Sequence, residues 1–381
     1  MNKGKQHIGL LLNIAPLYRQ SLFKLLESNF ACRWIFGENN TDIPECNTSH
    51  FADVNTLQLR KGPKNTYWLK GALKLLFGKA TPRQIIMTGE IKFLTTWMVL
   101  LRNKFTPRKH RKKVILWTHG WYGNESRLQN MVMKLYCSLA DRIMFYGNHG
   151  RELAIGHGVP ATKTLVIHNS LNHDLFVRLR KEFESVSPQK SELLGNRFAN
   201  PHLPLLCYIG RLSMHKDVDL LLKAQALLCR SGSPVNVLVI GDGPAMPMLK
   251  EYVESQGLGA NVWFYSACYD DVESAPLIYT SDSCVSPGHI GLTAIHALEM
   301  GTPVVTHNDF SKHAPEVEAV IPGITGQLFR RGDVESIAAV LQEIIKVNKT
   351  DRMQVREACY SEAGQWTPAY QLSIIEKALH S

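Results

Sequence analysis

The stretch 285–305 constrains the fold of this chain more than any other. It is predicted to form a strand end, a loop with Gly288 and Gly291, a short helix over about 291–300, and a buried strand after Gly301. Glycines allow the backbone to turn sharply and to approach a ligand closely. The start of the helix adds free N–H groups and the positive end of a dipole, which favour an anion. This stretch therefore predicts an α/β protein with an anion site, such as a diphosphate site, at the end of a strand.

Chain length and charge divide the protein into two parts. A chain of 381 residues is too long for one ordinary core, so two domains are expected. Residues 1–180 carry 27 Lys and Arg against 10 Asp and Glu, a net charge of +17, whereas residues 181–381 carry 16 against 23, a net charge of −7. The basic half predicts an anionic partner, either a membrane surface or a nucleic acid.

Other compositional signals favour a cytosolic protein. No apolar run approaches the roughly 18–20 residues of a membrane span. The chain start is not expected to be a secretory signal. The eight cysteines show no metal-ligand spacing and are expected to be buried and reduced.

Apolar strands alternate with helices along the whole chain, which predicts parallel sheets wrapped by helices. In the first half the predicted strands are 7–13, 33–36, 84–88, 114–118, 142–146 and 164–167. In the second half they are 205–210, 236–240, 262–264, 282–285 and 303–306. We expect an N-terminal domain over 1–172, a boundary segment over 173–203, a second domain over 204–365 and a final helix within 366–381.

Two segments of the first half combine aromatic residues with lysines. One is 67–79, and the other is the predicted helix 93–101, which continues into 102–113. Seven of the twelve residues in 102–113 are Lys or Arg. The helices either pack on the sheet with the basic run as a solvated loop, or they lie on anionic lipid headgroups. Nucleic acid is less favoured, because no helix-turn-helix, zinc or RNP pattern accompanies the charge.

Two turns in the second half follow predicted strands. Arg211 and Lys216 bracket the turn after Gly210, and two cations at a strand–helix turn suit a diphosphate, although an ordinary turn with solvent-facing charges is the alternative. Gly241 and Gly243 form a second tight turn. Neither a dinucleotide-binding fingerprint nor a Walker loop is present.

Taken together, these motifs resemble the retaining glycosyltransferases of family 4, of the bacterial surface-polysaccharide type. The motifs that carry the resemblance are Gly210-Arg211 with Lys216, Gly241-Asp-Gly-Pro244, Ser286-Pro287 with Gly291-Leu292, Gly301-Thr-Pro-Val-Val305, and Pro315-Glu316 with Gly326. They occur in order over about 205–335, whereas the first half matches more loosely, through residues 16–19, His119-Gly120 and Asn169-Ser170.

The resemblance implies the GT-B fold, with two facing Rossmann-like domains and a C-terminal helix that crosses back to the first domain. The second domain is expected to bind the nucleotide sugar and the first to bind the acceptor. The donor-binding residues implied are Gly210, Gly241, Gly243, Gly288, His289, Gly291, Leu292, Thr293, His296 and Glu316.

Two positions depart from the family pattern. Gly288 and His296 stand where the family has two glutamates eight residues apart. Phosphate recognition is therefore expected to be intact, whereas sugar recognition must be built differently. His296 can still bond a ribose hydroxyl, and Glu299, one helical turn later, is expected to hold it.

The predicted reaction is transfer of a sugar, with retention, from a nucleoside-diphosphate donor to a hydroxyl of a saccharide acceptor that is expected to be lipid-linked. The catalytic residues are expected to be His119, Arg211 and Lys216, and neither a cofactor nor a metal is expected. Candidate residues on the acceptor side are Arg19, Asn124 and Glu125. The alternatives are a GT-B nucleotide-sugar epimerase and a non-catalytic binder of sugar nucleotides or polyanions. The predicted location is the cytoplasmic face of the plasma membrane, in surface polysaccharide synthesis, without nucleic acid as a partner.

Overall fold

The computed structural model describes residues 4–41, 43–78, 81–186 and 190–380. The chain divides into two compact units. The first unit contains residues 1–172 together with 367–381, and the second contains residues 173–366.

The first unit is built on seven parallel strands in the order β3-β2-β1-β6-β7-β8-β9, with a separate antiparallel pair β4-β5. The strands are β1 His7–Leu12, β2 Ala31–Gly37, β3 Val54–Leu57, β4 Leu59–Lys61, β5 Tyr67–Leu69, β6 Gln84–Thr88, β7 Lys113–Thr118, β8 Arg142–Phe145 and β9 Thr164–Val166. The helices are α1 Gln20–Asn29, α2 Ala72–Phe77, α3 Leu94–Phe105, α4 Arg127–Ser138 and α5 Asn148–Gly156.

The buried strands of this sheet are apolar because helices cover both faces. In β1 every residue after His7 is buried. Side chains of α1 pack on one face, and those of α2, α3, α4 and α5 pack on the other. The strand order reverses between β1 and β6, and ligands of open α/β sheets bind beside such a switch point at the carboxyl edge.

The second unit is built on six parallel strands in the order β12-β11-β10-β13-β14-β15. Its elements are α6 His173–Val186, α7 Lys190–Leu194, β10 Leu205–Ile209, α8 Val218–Arg230, β11 Asn236–Ile240, α9 Met246–Ser255, β12 Val262–Tyr265, α10 Asp271–Thr280, β13 Ser283–Ser286, α11 Thr293–Glu299, β14 Val304–His307, β15 Gly326–Phe329 and α12 Val334–Ala363.

Three local expectations for the second unit differ from the structure. The boundary predicted over 173–203 is part of the unit, since α6 packs against α10 and α11. The sequence predicts a helix near 333–347, whereas helix α12 runs on to Ala363, with a non-helical backbone at Asp351. Strand β15 and helix α10 were not predicted at all.

The last helix, α13 (Pro368–His380), belongs to the first unit. It packs on α1, β8 and β9, and Ile375 and Leu379 are buried there. Buried Gln371 donates to the carbonyl of His168 at 2.9 Å and accepts from the Ser170 hydroxyl at 2.5 Å. Apolar burial and two buried hydrogen bonds therefore attach this helix to residues that lie about 200 positions earlier in the chain.

No helix in the part of the chain that the structure describes is long and apolar enough to cross a bilayer.

Candidate functional site

At the carboxyl edge of the first sheet, side chains from three strand ends form an aromatic cluster around a buried cation. Arg19 is 7% exposed and donates to the Tyr146 hydroxyl. Its guanidinium lies 4.6 Å from the centre of the Trp117 ring, a cation–π distance. The His119 ring centre lies 4.4 Å from that of Tyr146 and 6.2 Å from that of Tyr122. The structure thus brings the predicted residues Arg19 and His119 to one cluster, with Arg19 beneath the surface.

The loop that follows β7 carries the other two acceptor-side candidates. Both carboxylate oxygens of Glu125 accept from its own loop, from the N–H groups of Tyr122 at 2.7 Å and Gly123 at 3.0 Å. Asn124 is exposed. Glu125 therefore shapes this loop, and Asn124 is the candidate that solvent reaches.

The basic segment, residues 106–112, lies at the amino edge of the first sheet, opposite to the carboxyl edge that carries these candidates. Helix α3 starts after the carboxyl end of β6, and β7 begins at Lys113, so residues 106–112 lie at the amino edge. They contribute to a cavity of about 510 Å³ whose basic lining residues are Arg83, Arg102, Lys109, His110, Arg111 and Lys112. Residues 91–124 include no Asp or Glu. Burial and two neighbouring cations, Arg33 and Arg83, lower the pKa of the Lys112 ammonium.

Exposed apolar side chains accompany this positive charge. On α3, Met98, Leu101 and Phe105 are exposed, and Phe105 is 84% exposed. On α4, Leu128, Met131 and Leu135 are 56–67% exposed and follow one another at helical spacing. The two helices cover the same face of the sheet, and Trp97 of α3 packs on Tyr136 of α4 with ring centres 4.8 Å apart.

The carboxyl edge of the second sheet brings together four loops, which we number by the strand they follow: the first loop follows β10, the second β11, the third β13 and the fourth β14. The first two loops are joined by main-chain hydrogen bonds. Leu212 N–H donates to the Asp242 carbonyl, and Ala245 N–H donates to the Leu212 carbonyl, both at 2.9 Å. The order of strands reverses at β10, so these loops lie at the switch point of the sheet.

The glycines of these loops allow the backbones to approach each other closely. A Cβ on Gly241 would lie 1.9 Å from the Gly210 carbonyl oxygen, and one on Gly243 would lie 2.4 Å from the Leu212 carbonyl oxygen. Gly210, Gly241 and Gly243 also have positive φ, between 149° and 155°. No other residue type fits this arrangement without displacing the main chain.

Gly288 joins the third loop to the first in the same way. Its N–H donates to the Lys216 carbonyl at 3.0 Å. A Cβ at this position would lie 2.5 Å from the His215 carbonyl oxygen and 2.6 Å from the Lys216 carbonyl carbon. The family's first glutamate is therefore sterically excluded by the way these two loops pack.

Lys216 connects the two loops through its side chain as well. Its ammonium donates to the His289 carbonyl at 2.6 Å and lies 3.4 Å from His289 Nδ1. Burial lowers the pKa of Lys216, and burial together with the Lys216 charge lowers the pKa of His289. Arg211 is exposed at the start of the first loop. The first loop thus carries two basic residues at the edge where three loops converge.

Helix α11 begins directly after the third loop. Thr293 is its first residue, and the first N–H bonded within this turn is that of Ala294, which donates to the Gly291 carbonyl at 2.9 Å. The Thr293 hydroxyl donates to the carbonyl of Ile209, the last residue of β10, at 3.2 Å. Gly291, Leu292 and Thr293 are partly exposed, so a ligand can reach the N–H groups that a helix start leaves free.

Residues 191–361, nearly all of the second unit, match the family model "Glycosyl transferases group 1". The second unit is therefore the part of the chain that is similar to the group 1 glycosyl transferases.

A sequence relative is a GDP-mannose-dependent alpha-(1-6)-phosphatidylinositol dimannoside mannosyltransferase of Mycobacterium tuberculosis, 32% identical over 111 residues. That match covers 28% of this chain and 28% of the relative. The chain spans about a third or less of the length of the curated relatives that it matches.

Solved structures are similar over almost the whole chain. The Anabaena protein Alr3699/HepE, solved with UDP, has a TM-score of 0.67 at 16% identity, with 98% of this chain and 99% of that chain covered. The lipopolysaccharide outer core galactosyltransferase WaaB has a TM-score of 0.66 at 13% identity, with the same coverage. The chain therefore has the GT-B fold.

His296 lies on α11 of the second unit, at the second of the two positions where the family that the motifs resemble has a glutamate. Its side chain is 12% exposed, and its Nε2 lies 3.8 Å from Asp271 Oδ1. Burial lowers the pKa of His296 to about 4. Burial, with Asp270 nearby, raises the pKa of Asp271 to about 6. The ring is thus neutral near pH 7, with a carboxylate near its Nε2.

Glu299 does not hold His296, which corrects the expectation from helical spacing. The fully buried Glu299 carboxylate bonds to Nδ1 of His173 on α6, at 2.8 and 3.0 Å, and lies 4.0 Å from the Arg180 guanidinium. The hydrogen bond to Glu299 raises the pKa of His173. The Glu299 carboxylate therefore bonds to His173 on another helix and not to His296, its neighbour one turn away.

Glu316 is 3% exposed and lies in a short 3-10 helix over Pro315–Ala319, after β14. His313, three residues earlier, contacts the third loop and was not among the predicted site residues. No sequence signal indicates this contact, because the fold alone brings residue 313 beside residue 290.

The structure therefore groups the predicted residues in two places. The donor-side residues and the catalytic candidates Arg211 and Lys216 lie at one edge of the second unit. Arg19, His119, Asn124 and Glu125 gather at the carboxyl edge of the first unit. Among the described residues, no group of His, Cys, Asp and Glu is placed to hold a metal ion.

Proposed function

We propose that this protein is a retaining glycosyltransferase that moves a sugar from a nucleoside diphosphate to a hydroxyl of an acceptor saccharide. The observation that carries the proposal is the set of three glycine loops joined at a sheet switch point, with Lys216 bonded across two of them and Arg211 exposed on the first. Fixed cations and close-approach backbone are what a diphosphate requires. Support comes from the group 1 domain and from a similar fold that has been solved with UDP.

The chain's own residues have defined roles in the proposed reaction. The bond from the sugar C1 to the diphosphate oxygen breaks, and a bond from C1 to the acceptor oxygen forms on the same face. The acceptor proton passes to the leaving phosphate oxygen. Arg211 and Lys216 stabilise the negative charge that develops on that phosphate, as preorganised charges do most effectively. With two side-chain cations in this role the proposed step does not require a metal.

Other residues are assigned by position. His296, with Asp271 beside it, is proposed to bond a hydroxyl of the nucleotide ribose. Glu316 is proposed to contact the donor sugar. His119, on its aromatic support in the first unit, is proposed to contact the donor sugar as well, and Asn124 the acceptor.

A transfer assay tests the reaction. Purified protein is incubated with UDP- and GDP-sugars, with and without candidate acceptors, and released nucleotide and glycosylated product are measured. Arg211→Ala and Lys216→Ala are each expected to lower kcat about 10²–10³-fold, the usual effect of removing one preorganised charge. Lys223→Ala, which removes a partly exposed cation paired with Asp219, is the control and should leave the rate unchanged.

The outcomes separate the proposal from its alternatives. Conversion of a nucleotide sugar into its epimer without acceptor would indicate an epimerase. Binding without turnover would indicate a non-catalytic binder. Full activity in both Ala variants would contradict the phosphate assignment.

We further propose that the acceptor is lipid-linked and that the protein works on the cytoplasmic face of the plasma membrane in surface polysaccharide synthesis. The basic first unit supports this proposal, and one relative is named for a phosphatidylinositol acceptor. A comparison of transfer to a lipid-linked saccharide and to the same saccharide without lipid tests it. Equal or better rates with the free saccharide would count against a lipid-linked acceptor.

The proposed membrane contact is the outer side of α3 and α4 together with the basic segment 106–112. Lipid headgroups supply phosphates for the cations of the basic cavity, and the interface accepts Phe105 and the exposed apolar line of α4. A nucleic acid would bind to the positively charged residues but would leave these apolar side chains exposed to water. Helix α4 starts beside the Asn124 loop, so this surface extends from the basic edge to the candidate acceptor edge.

Vesicle flotation tests the surface. Arg108→Glu with Lys109→Glu should reduce binding to anionic vesicles at least tenfold, since each basic residue near an anionic surface contributes about 1 kcal/mol. Lys346→Glu with Lys349→Glu, exposed positions of α12, is the charge-matched control. Equal flotation of both double variants would contradict this surface, and unchanged transfer to a free saccharide would show that the reaction itself is intact.

A further inference from the structure

The third loop, which follows β13, is bonded to His313, a residue outside the motifs that carry the family resemblance. Ile290 is fully buried, and its N–H donates to Nδ1 of His313 at 3.1 Å. Its carbonyl accepts from the N–H of Ala314 at 3.0 Å. Both backbone groups of one loop residue are therefore bonded to residues 313 and 314.

The second ring nitrogen of His313 has a defined partner as well. Nε2 lies 2.9 Å from the carbonyl of His307, the last residue of β14. Because Nδ1 accepts a hydrogen bond, the ring proton is on Nε2 and is donated to that carbonyl. The rings of His307 and His313 also stack, with centres 3.7 Å apart and planes inclined by 24°. His313 is thus a bridge between the end of β14 and the loop after β13.

The bridge needs a neutral ring, and the surroundings keep it neutral. His313 is 2% exposed. Burial, with His307 and His289 nearby, lowers the pKa of His313 to about 3. A proton on Nδ1 would face the Ile290 N–H and break the hydrogen bond.

The position of Ile290 sets the position of the neighbouring carbonyl. His289 O, one residue earlier, is the acceptor of the Lys216 ammonium at 2.6 Å. A displacement of Ile290 would move this acceptor and with it the Lys216 charge. His313 therefore acts on Lys216 through two residues of main chain, without reaching the ligand itself.

We propose that His313 is a positioning residue that fixes the third loop and, through His289, places the Lys216 ammonium against the donor diphosphate. The inference rests on the proposed function, because it needs a diphosphate at Lys216. It adds a residue that would act in donor binding without contacting the donor.

Titration calorimetry with UDP, GDP and inorganic pyrophosphate tests the proposal. His313→Leu keeps the bulk and removes both hydrogen bonds, so the tightest of the three ligands should bind about tenfold more weakly, the effect of one or two lost hydrogen bonds. His313→Asn keeps an acceptor two bonds from Cβ and should restore affinity to within about threefold. His202→Leu, an exposed histidine of the same unit, is the control and should bind as the unmodified protein does.

Two readouts separate positioning from simple stability. In the transfer assay His313→Leu should lower kcat in the same direction as Lys216→Ala, by a smaller factor, and raise KM for the donor. A purely structural role would lower Tm and the yield of folded protein, and the folded fraction would bind with unchanged affinity. Unchanged affinity in folded His313→Leu would overturn the proposal, and so would failure of His313→Asn to rescue.

A measurement on the unmodified chain needs no variant. Nitrogen-15 NMR of labelled histidine should show His313 neutral, with the proton on Nε2, at pH 7. Finding the proton on Nδ1 would overturn the bridge directly. If the unmodified protein bound none of the three ligands and transferred no sugar, the proposed function would fail, and this inference with it. Normal transfer with an unaffected His313→Leu variant would reject the inference alone.

Discussion

The carboxyl edges of the two sheets hold their candidate residues by different means. At the edge of the second sheet, main chain contacts main chain, and three loops are joined by hydrogen bonds and by glycines that leave no room for a Cβ. At the edge of the first sheet, side chains do this work, with Arg19, Trp117 and Tyr146 forming one buried cluster. Similar parallel sheets thus carry two kinds of site, one built from main chain and one built from aromatic side chains.

The difference has a chemical counterpart. A diphosphate presents the same charges and oxygens whatever sugar it carries, so a backbone cradle with fixed cations suits it. Saccharides differ in shape and hydroxyl pattern, and side chains can be exchanged to suit each one. We therefore expect substitutions in the second unit to act mainly on donor binding, and those in the first unit mainly on stability and acceptor choice.

The largest effect should come from placing the family's carboxylate at residue 288. Gly288→Glu puts a Cβ within 2.5 Å of the His215 carbonyl oxygen and forces the first and third loops apart. We expect donor binding to be lost and stability to fall toward the upper end of the about 1–3 kcal/mol typical of overpacking. Gly259→Ala, where a Cβ meets nothing within 4 Å, is the control in calorimetry and denaturant unfolding. Normal donor affinity in Gly288→Glu would show that the loops are not rigid.

A medium effect is expected at the edge of the first sheet. Tyr146→Phe removes the hydroxyl that accepts from buried Arg19 and should cost about 1–2 kcal/mol of unfolding free energy. The affinity for UDP or GDP should not change, because this cluster holds no donor loop. Tyr265→Phe removes a more exposed hydroxyl that bonds Glu273 and should cost less. A large loss of nucleotide affinity in Tyr146→Phe would break the division between the two edges.

The smallest effect concerns pH and the buried pair His173–Glu299. The hydrogen bond to Glu299 raises the folded-state pKa of His173 above 6.5, so its stabilising contribution is full below pH 6.5 and is lost as pH rises through the raised value. Glu299→Gln should remove this pH-dependent decrease in stability. The contribution of the pair is measured as the difference in unfolding free energy between the variant and the unmodified protein from pH 6 to pH 8. Parallel pH curves would show that the pair does not titrate in this range.

Much of the second unit was predictable because its information is local. Strand, glycine turn and helix follow one another within about fifteen residues, and their order identifies strand ends that carry loops. The interlocking of Gly210, Gly241 and Gly288 was not predictable, because it depends on the strand order β11-β10-β13 and not on the chain order. The same limit explains why Glu299 was assigned to its helical neighbour instead of to His173.

The sequence by itself determined the α/β class, the parallel strands, the positions of the glycine turns and the cations beside them. Each of these follows from residue type and spacing over a few positions, which is the range of backbone sterics and of hydrophobic periodicity. Only the tertiary structure decided which groups meet: Lys216 with His289, His313 with Ile290, and Arg19 with Tyr146. Those contacts join residues up to 127 positions apart, and only the packing of strands and helices brings them within hydrogen-bond distance.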